Sequence, residues 1–168
     1  MENNKVFQVA NYVLKYYEEK YNKEEKEISN FLKQNFTVLR FHKIMYFLQG
    51  LYYSKTGKLL FEDQFEAWQY GPVLKKIYNE IKKQKYNNNE LNFKELKFDI
   101  FNSYNIDLNN EDFDFYELRE ILFELDKIST WSLVEMSHSS LSPWDKTENN
   151  QEISNNLLKS YFEGVSIK

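Results

Sequence analysis

Two histidines, His42 and His138, are the only imidazoles in a chain of 168 residues that has no cysteine. A metal site needs three or four ligands of suitable type and spacing. Neither histidine has a His-x-x-x-His partner or a carboxylate cluster beside it, so no metal and no cofactor is expected. His138 has Ser137, Ser139, Ser140, Ser142 and Asp145 close by in sequence. Those are the residue types of an acyl-transfer triad, and a hydrolase using His138 is the one catalytic reading the sequence offers. Triads are recognised by geometry and an oxyanion hole, and no nucleophile-elbow motif surrounds these serines. Serines ahead of Pro143 are ordinary loop and capping chemistry. His138 then reads as a half-buried ring bonded to backbone or to a serine. With only four glycines in the chain, a phosphate-cradling glycine loop has no place to form. A non-enzyme is expected, with no catalytic residue.

Binding is the alternative to catalysis. Trp68, Tyr70 and Trp144 are large amphipathic rings that either pin loops to a core or anchor a partner. Trp68 lies beside the tight turn Tyr70-Gly71-Pro72-Val73, and Trp144 follows Pro143. The turn from Trp68 to Val73 and the loop from Ser137 to Trp144 are expected to lie together as one surface. Charge is uneven. Lys75 to Lys85 holds five Lys against one Glu, a balance of +4, and Asp107 to Asp126 holds eight acids against one Arg, a balance of −7. These are solvated faces or patches that steer a partner of opposite charge. Lys75, Lys76, Lys82 and Lys83 form the candidate charged partner surface.

The elements that must position these residues follow from periodicity. Asn3 or Asn4 caps a helix from Lys5 to Tyr21, with Val6, Val9, Ala10, Val13, Leu14 and Tyr17 inward. Ile28, Phe31 and Leu32 mark a short second helix. Thr37 caps the most apolar helix, Val38 to Tyr53, and Gly57 fits its left-handed stop. Leu59 to Trp68 reads as extended, a small hairpin or short strands near 59–69. Gly71-Pro72 reads as a turn that opens the next helix, since Pro is tolerated at a first helical position, and Val73, Leu74, Ile77, Tyr78 and Ile81 form its stripe. Tyr86 to Glu90 reads as loop, and Leu91 to Leu108 as loop with one short strand. Helices are expected over Asp112–Ser129, from a Thr130 cap to His138, and over Gln151–Phe162. The sum is one mainly α domain, residues 1–168, of six to seven helices with a small β element.

Composition sets the class. Aromatic residues make up 18% of the chain, so its core should be built from rings as much as from aliphatics. The absence of cysteine leans towards a reducing compartment, and no apolar run reaches the roughly 20 residues of a membrane span. A soluble, cytoplasmic protein is expected. A net charge of −4 argues against a generic nucleic-acid binder, which carries a basic footprint.

The run Lys43-Ile44-Met45-Tyr46-Phe47-Leu48-Gln49-Gly50, then Thr56-Gly57-Lys58, then Phe65-Glu66-Ala67-Trp68 with Tyr70-Gly71-Pro72-Val73 resembles the signature of the Panacea antitoxin domain. Ser137-His138 followed by Pro143-Trp144 is similar to that family's Thr-His segment leading to Pro-Trp, with Ser in place of Thr. The resemblance includes the SocA-like antitoxins and the GepA-like phage-associated proteins. It implies an antitoxin that neutralises a cognate protein toxin by direct contact, and, in the SocA-like branch, delivery of the toxin to an energy-dependent protease. A mobile-element accessory protein that binds another host protein is the alternative. The resemblance makes Glu66, Trp68, Tyr70, Gly71, Pro72, Val73, His138, Pro143 and Trp144 the motif residues, structural or partner-binding. Oligomeric state is not legible from the sequence.

Overall fold

The computed structural model describes residues 4–84 and 88–165. In chain order its elements are α1 (Lys5–Asn22), α2 (Lys26–Gln34), α3 (Val38–Thr56), β1 (Glu66–Trp68), β2 (Gly71–Val73), α4 (Lys75–Lys82), a 3₁₀ segment (Asn88–Phe93), α5 (Phe115–Asp126), α6 (Thr130–Ser137) and α7 (Asn155–Phe162). The mainly α expectation holds, with one two-stranded antiparallel sheet.

Helix α3 is the centre. The Thr37 hydroxyl accepts from the Arg40 amide at 3.1 Å, and Gly57 ends the helix at φ 74°. Every residue from Val38 to Tyr52 is buried, which marks a helix enclosed on all sides. Helices α5, α6, α7 and strand β2 pack on it. Its polar side chains hold the neighbours in place. Gln49 donates to the Phe61 carbonyl at 2.7 Å and accepts from the Leu60 amide at 2.8 Å, which fixes the irregular run after Gly57. Arg40 donates to the carbonyls of Ile128 and Asp126 at 2.8 and 3.2 Å. It thereby serves the C-terminal end of α5, where a cation also suits the helix dipole.

The core is ring-rich, as composition suggests. Tyr17, Phe36, Phe41 and Phe98 cluster, with the Tyr17–Phe36 and Phe36–Phe98 centroids both 5.2 Å apart. The Tyr17 hydroxyl donates to the Leu122 carbonyl at 2.7 Å, so its polar atom is satisfied. Helix α7 enters the core through Phe162, whose ring lies over Gly50; a β-carbon there would stand 2.3 Å from the ring.

Several expected boundaries move. The hairpin spans Glu66–Val73, while Leu59–Phe65 forms no strand. Gly71-Pro72 lies inside β2 and does not open a helix; α4 begins at Lys75 behind Leu74. Proline is tolerated in this strand because of its register. Pro72 faces Ala67, and the Ala67 amide and carbonyl turn the other way, to Gln151 and Asn150 at 2.9 and 2.7 Å. No ladder bond needs the missing N–H. Residues 150–153 therefore flank β1, and α7 starts at Asn155, capped by Ser154, rather than at Gln151. Helix α5 starts at Phe115 because Asp114 accepts from the Glu117 amide and caps it. Ser129, not Thr130, caps α6, and the Thr130 hydroxyl accepts from Arg40 at 3.2 Å instead. Residues 88–90, expected in a loop, are 3₁₀, and the strand expected within 91–108 is one isolated bridge from Glu95 to Thr37. Asn4 precedes α1 without a side-chain capping bond. Ile28 and Phe31 of α2 are exposed. The cap expected at Asn3, the charge at Lys85 and the loop expected at residues 86–87 lie outside the described residues. Among the described residues, no helix is long and apolar enough to cross a membrane.

Candidate partner-binding face on the hairpin

The hairpin is pinned from three sides. From α3, the Lys43 ammonium nitrogen donates to the Pro72 carbonyl at 2.7 Å. From the loop after α6, the Trp144 indole donates to the Trp68 carbonyl at 2.7 Å. From α4, the Tyr78 ring meets Trp68 edge-on at 4.8 Å. The Trp68 indole in turn donates to the Glu66 carboxylate at 3.0 Å. Gly71 has φ 112°, and a β-carbon there would stand 2.6 Å from Lys43 Cε and 2.7 Å from Ser137 Oγ. The turn and the loop do lie together. Gly71, Pro72, Val73 and Pro143 are buried at this junction, while Glu66, Trp68, Tyr70, His138 and Trp144 are half-buried.

The serines around His138 are engaged with backbone and with loop geometry. Ser137 donates to the Val134 carbonyl at 2.7 Å, and Ser142 donates to the Ser137 carbonyl at 3.1 Å. Asp145 accepts from the Leu141 amide at 2.9 Å, which holds Leu141 at φ 67°. The His138 ring stacks on Trp144 at 3.9 Å and 26°. Its Nε2 is buried and has no hydrogen-bond partner, so the expected bond to backbone or serine is not made at that atom. Desolvation, and then the positive charge of Lys43, lower the His138 pKa. No serine–histidine or histidine–aspartate bond links these residues into a relay. Among the described residues, no group of three or more His, Asp or Glu side chains is placed to hold a metal ion.

Two basic groups on α3 are fully buried. The His42 Nδ1 faces the Val38 carbonyl at 3.1 Å, which makes it the protonated nitrogen, and Nε2 is buried with no hydrogen-bond partner. Desolvation chiefly, with Lys43 adding to it, lowers the His42 pKa to about 3. Desolvation lowers that of Lys43 to about 7. Perturbed ionisable groups mark sites with a task. In sequence Lys43 stands off the apolar positions Phe41, Ile44, Met45 and Leu48 of α3, so periodicity alone reads it as solvent-facing.

The tip of the hairpin carries an exposed aromatic group. The Tyr70 ring lies 5.7 Å from Phe93 and 6.3 Å from Trp131, with Phe93 and Trp131 6.4 Å apart. Phe93 is 50% exposed and Trp131 is 54% exposed, far more than a core role allows. Along α6, Val134 turns fully inward while Trp131 stays exposed, and His138 just past its end is half-buried. Lys75, Lys76, Lys82 and Lys83 are exposed on α4. Lys76 lies 3.9 Å from Asp63, and Lys83 lies 2.8 Å from Glu80.

The model of the SocA-like antitoxin, Panacea domain, matches residues 41–145. This chain belongs to that family. The matched segment runs from the first turn of α3 through the hairpin, the aromatic tip and the His138–Trp144 loop, so the whole pinned junction is Panacea-domain material. The chain is similar to antitoxin SocA of Caulobacter vibrioides (strain NA1000 / CB15N), with 31% identity over 115 residues. That alignment covers 66% of this chain and 59% of the relative's length. No solved structure matches. Helices α1 and α7 lie outside the segment matched to the Panacea model, yet their residues share its hydrophobic core.

Proposed function

We propose that this protein is an antitoxin that neutralises a cognate protein toxin by occupying it, with the Tyr70–Phe93–Trp131 face at the centre of the contact. The antitoxin role follows the family and the name borne by its relative. The observation that carries the face is the exposure of two large rings beside a hairpin tip that is bonded from both α3 and the Trp144 loop. Tryptophan and tyrosine are favoured interface anchors, and an anchor on a fixed scaffold loses little conformational freedom on binding. The α4 lysines provide a charged patch that can steer the approach. Catalysis is not part of this reading, because Ser137 and Ser142 bond to backbone carbonyls and the His138 ring stacks on Trp144. Transfer of the bound toxin to an energy-dependent protease would be a further consequence of the same contact.

The test is co-expression with the product of the adjacent open reading frame. Growth rescue and co-purification are expected for the wild type, and loss of both for Trp131→Ala and Phe93→Ala. His138→Ala should still rescue growth. Rescue that depends on His138 while the complex still forms would favour catalysis. An adjacent product that neither arrests growth nor co-purifies would remove the antitoxin reading.

A further inference from the structure

Lys43 is the one fully buried lysine among the described residues. Its nitrogen has three protons to donate and one acceptor, the Pro72 carbonyl at 2.7 Å. No carboxylate offsets its burial. The groups packed around it are basic, neutral or already engaged. His42 is its neighbour on α3, and His138 and Ser137 close it in from α6. Strand β2 offers Gly71, Pro72 and Val73, with nothing to titrate. The β1 carboxylate, Glu66, accepts from the Trp68 indole, the loop carboxylate, Asp145, accepts from Leu141, and the α4 phenol, Tyr78, packs on Trp68. An ammonium held in such a place by one neutral acceptor is strongly disfavoured. Protonating either imidazole would add a second positive charge beside it.

Lys43 is fixed in α3, and the enclosing hairpin is two strands of three residues each. The hairpin is the element that can give way. We propose that Lys43 is a proton-sensitive latch: the closed hairpin keeps the amine neutral against the Pro72 carbonyl, and protonation frees the hairpin from α3, carrying Tyr70 away from Phe93 and Trp131. Binding of a protein partner to that face is then weakened by acid and restored by base. This last step rests on the antitoxin reading, whereas the latch does not.

The direction follows from linkage. Closed, the amine titrates at about 7; open and hydrated, it titrates at 10.5. Opening takes up a proton between those values, so the closed form gains as pH rises through that window. Below about pH 7 the effect of Lys43 is complete and the dependence flattens.

Hydrogen exchange on the whole chain, corrected for the intrinsic rate, reads the latch directly. Peptides covering 65–74 should gain protection between pH 7 and pH 9 by more than tenfold, approaching about 50-fold if the open ammonium meets bulk water. Peptides from α1 should not follow. Lys43→Met, apolar and of similar length, should abolish the pH dependence and leave the hairpin protected at pH 7. Lys43→Gln, neutral but able to donate, should do the same, with circular dichroism confirming that both fold. Wild-type hairpin protection that stays flat, or that rises equally in both variants, overturns the latch. With the toxin identified by co-expression, wild-type affinity should rise from pH 7 to pH 9 while that of Lys43→Met stays constant. A wild type that binds no toxin at either pH removes the antitoxin reading and leaves the exchange result to decide the latch.

Discussion

Gly71→Ala should be among the most damaging single-methyl additions in this protein, and Gly57→Ala supplies its control. Both glycines have positive φ, 112° and 74°. At Gly57 a β-carbon would meet nothing within 4 Å, so the expected loss is backbone strain alone, about 1–2 kcal/mol. At Gly71 the strain is at least as large, and the methyl also falls 2.6 Å from Lys43 Cε and 2.7 Å from Ser137 Oγ. Lys43 cannot step aside without giving up its bond to Pro72 in a dry interior, which costs about 1–3 kcal/mol more. Ser137 cannot move without disturbing its bond to Val134. The sum is about 2–5 kcal/mol, a large part of the roughly 5–15 kcal/mol that holds a typical domain together. At about 2–4 °C per kcal/mol for a chain of this size, Gly71→Ala should melt some 4–20 °C below wild type. Gly57→Ala should melt only about 2–8 °C below it. Urea denaturation with matched m-values would measure both. Truncating Lys43 in a Lys43→Ala/Gly71→Ala double variant should recover part of the loss, a non-additivity expected of groups in contact. Equal losses at the two glycines, or strictly additive behaviour in the double variant, would show that the hairpin is not packed on α3 as described.

Gly50→Ala lies inside a helix, where propensity alone would stabilise by about 1 kcal/mol; the Phe162 ring at 2.3 Å should reverse the sign to a loss of about 1–3 kcal/mol. Pairing it with Phe162→Leu should return part of that loss in the same urea assay. His42 is neutral in the fold, with its pKa lowered to about 3 from 6.5. Its contribution is therefore fully present above pH 6.5 and is lost as pH falls towards 3, by at most about 5 kcal/mol. The difference in stability between wild type and His42→Gln across that window isolates it from the carboxylates that titrate there as well.

Much of the scaffold was legible because local signals agreed with the packing. In α1 the stripe from Val6 to Tyr17 is the buried face, and in α3 the Thr37 cap and Gly57 stop both fall where the residues imply. The failures share a cause. Gly71-Pro72 has the local chemistry of a helix entry, and it becomes a strand because Glu66–Trp68 pairs with it while residues 150–153 take the other side of β1. Residues 150–153 lie some eighty residues from β1, beyond any local window. Ser129 and Thr130 are equally good caps on paper; Arg40, brought from α3, claims Thr130 and leaves Ser129 the role. At the candidate site, the meeting of the Trp68 turn with the Trp144 loop followed from paired tight turns bearing tryptophans. The part played by Phe93 and Trp131 did not, since exposure is decided by which face the tertiary packing leaves open. Lys43 sat in plain view within the apolar run, but its burial depends on the hairpin that closes over it.

The claim that most needs testing is that this chain acts by laying its exposed aromatic face on another protein. The direct measurement is the affinity of the purified chain for its co-expressed toxin, by calorimetry, for wild type and Trp131→Ala. An interface anchor should weaken the complex by about 30-fold or more, equivalent to about 2 kcal/mol. Because Trp131 is more than half exposed, the melting temperature should stay nearly unchanged. Undiminished affinity in Trp131→Ala, with the toxin still neutralised, would place the contact elsewhere and contradict the account.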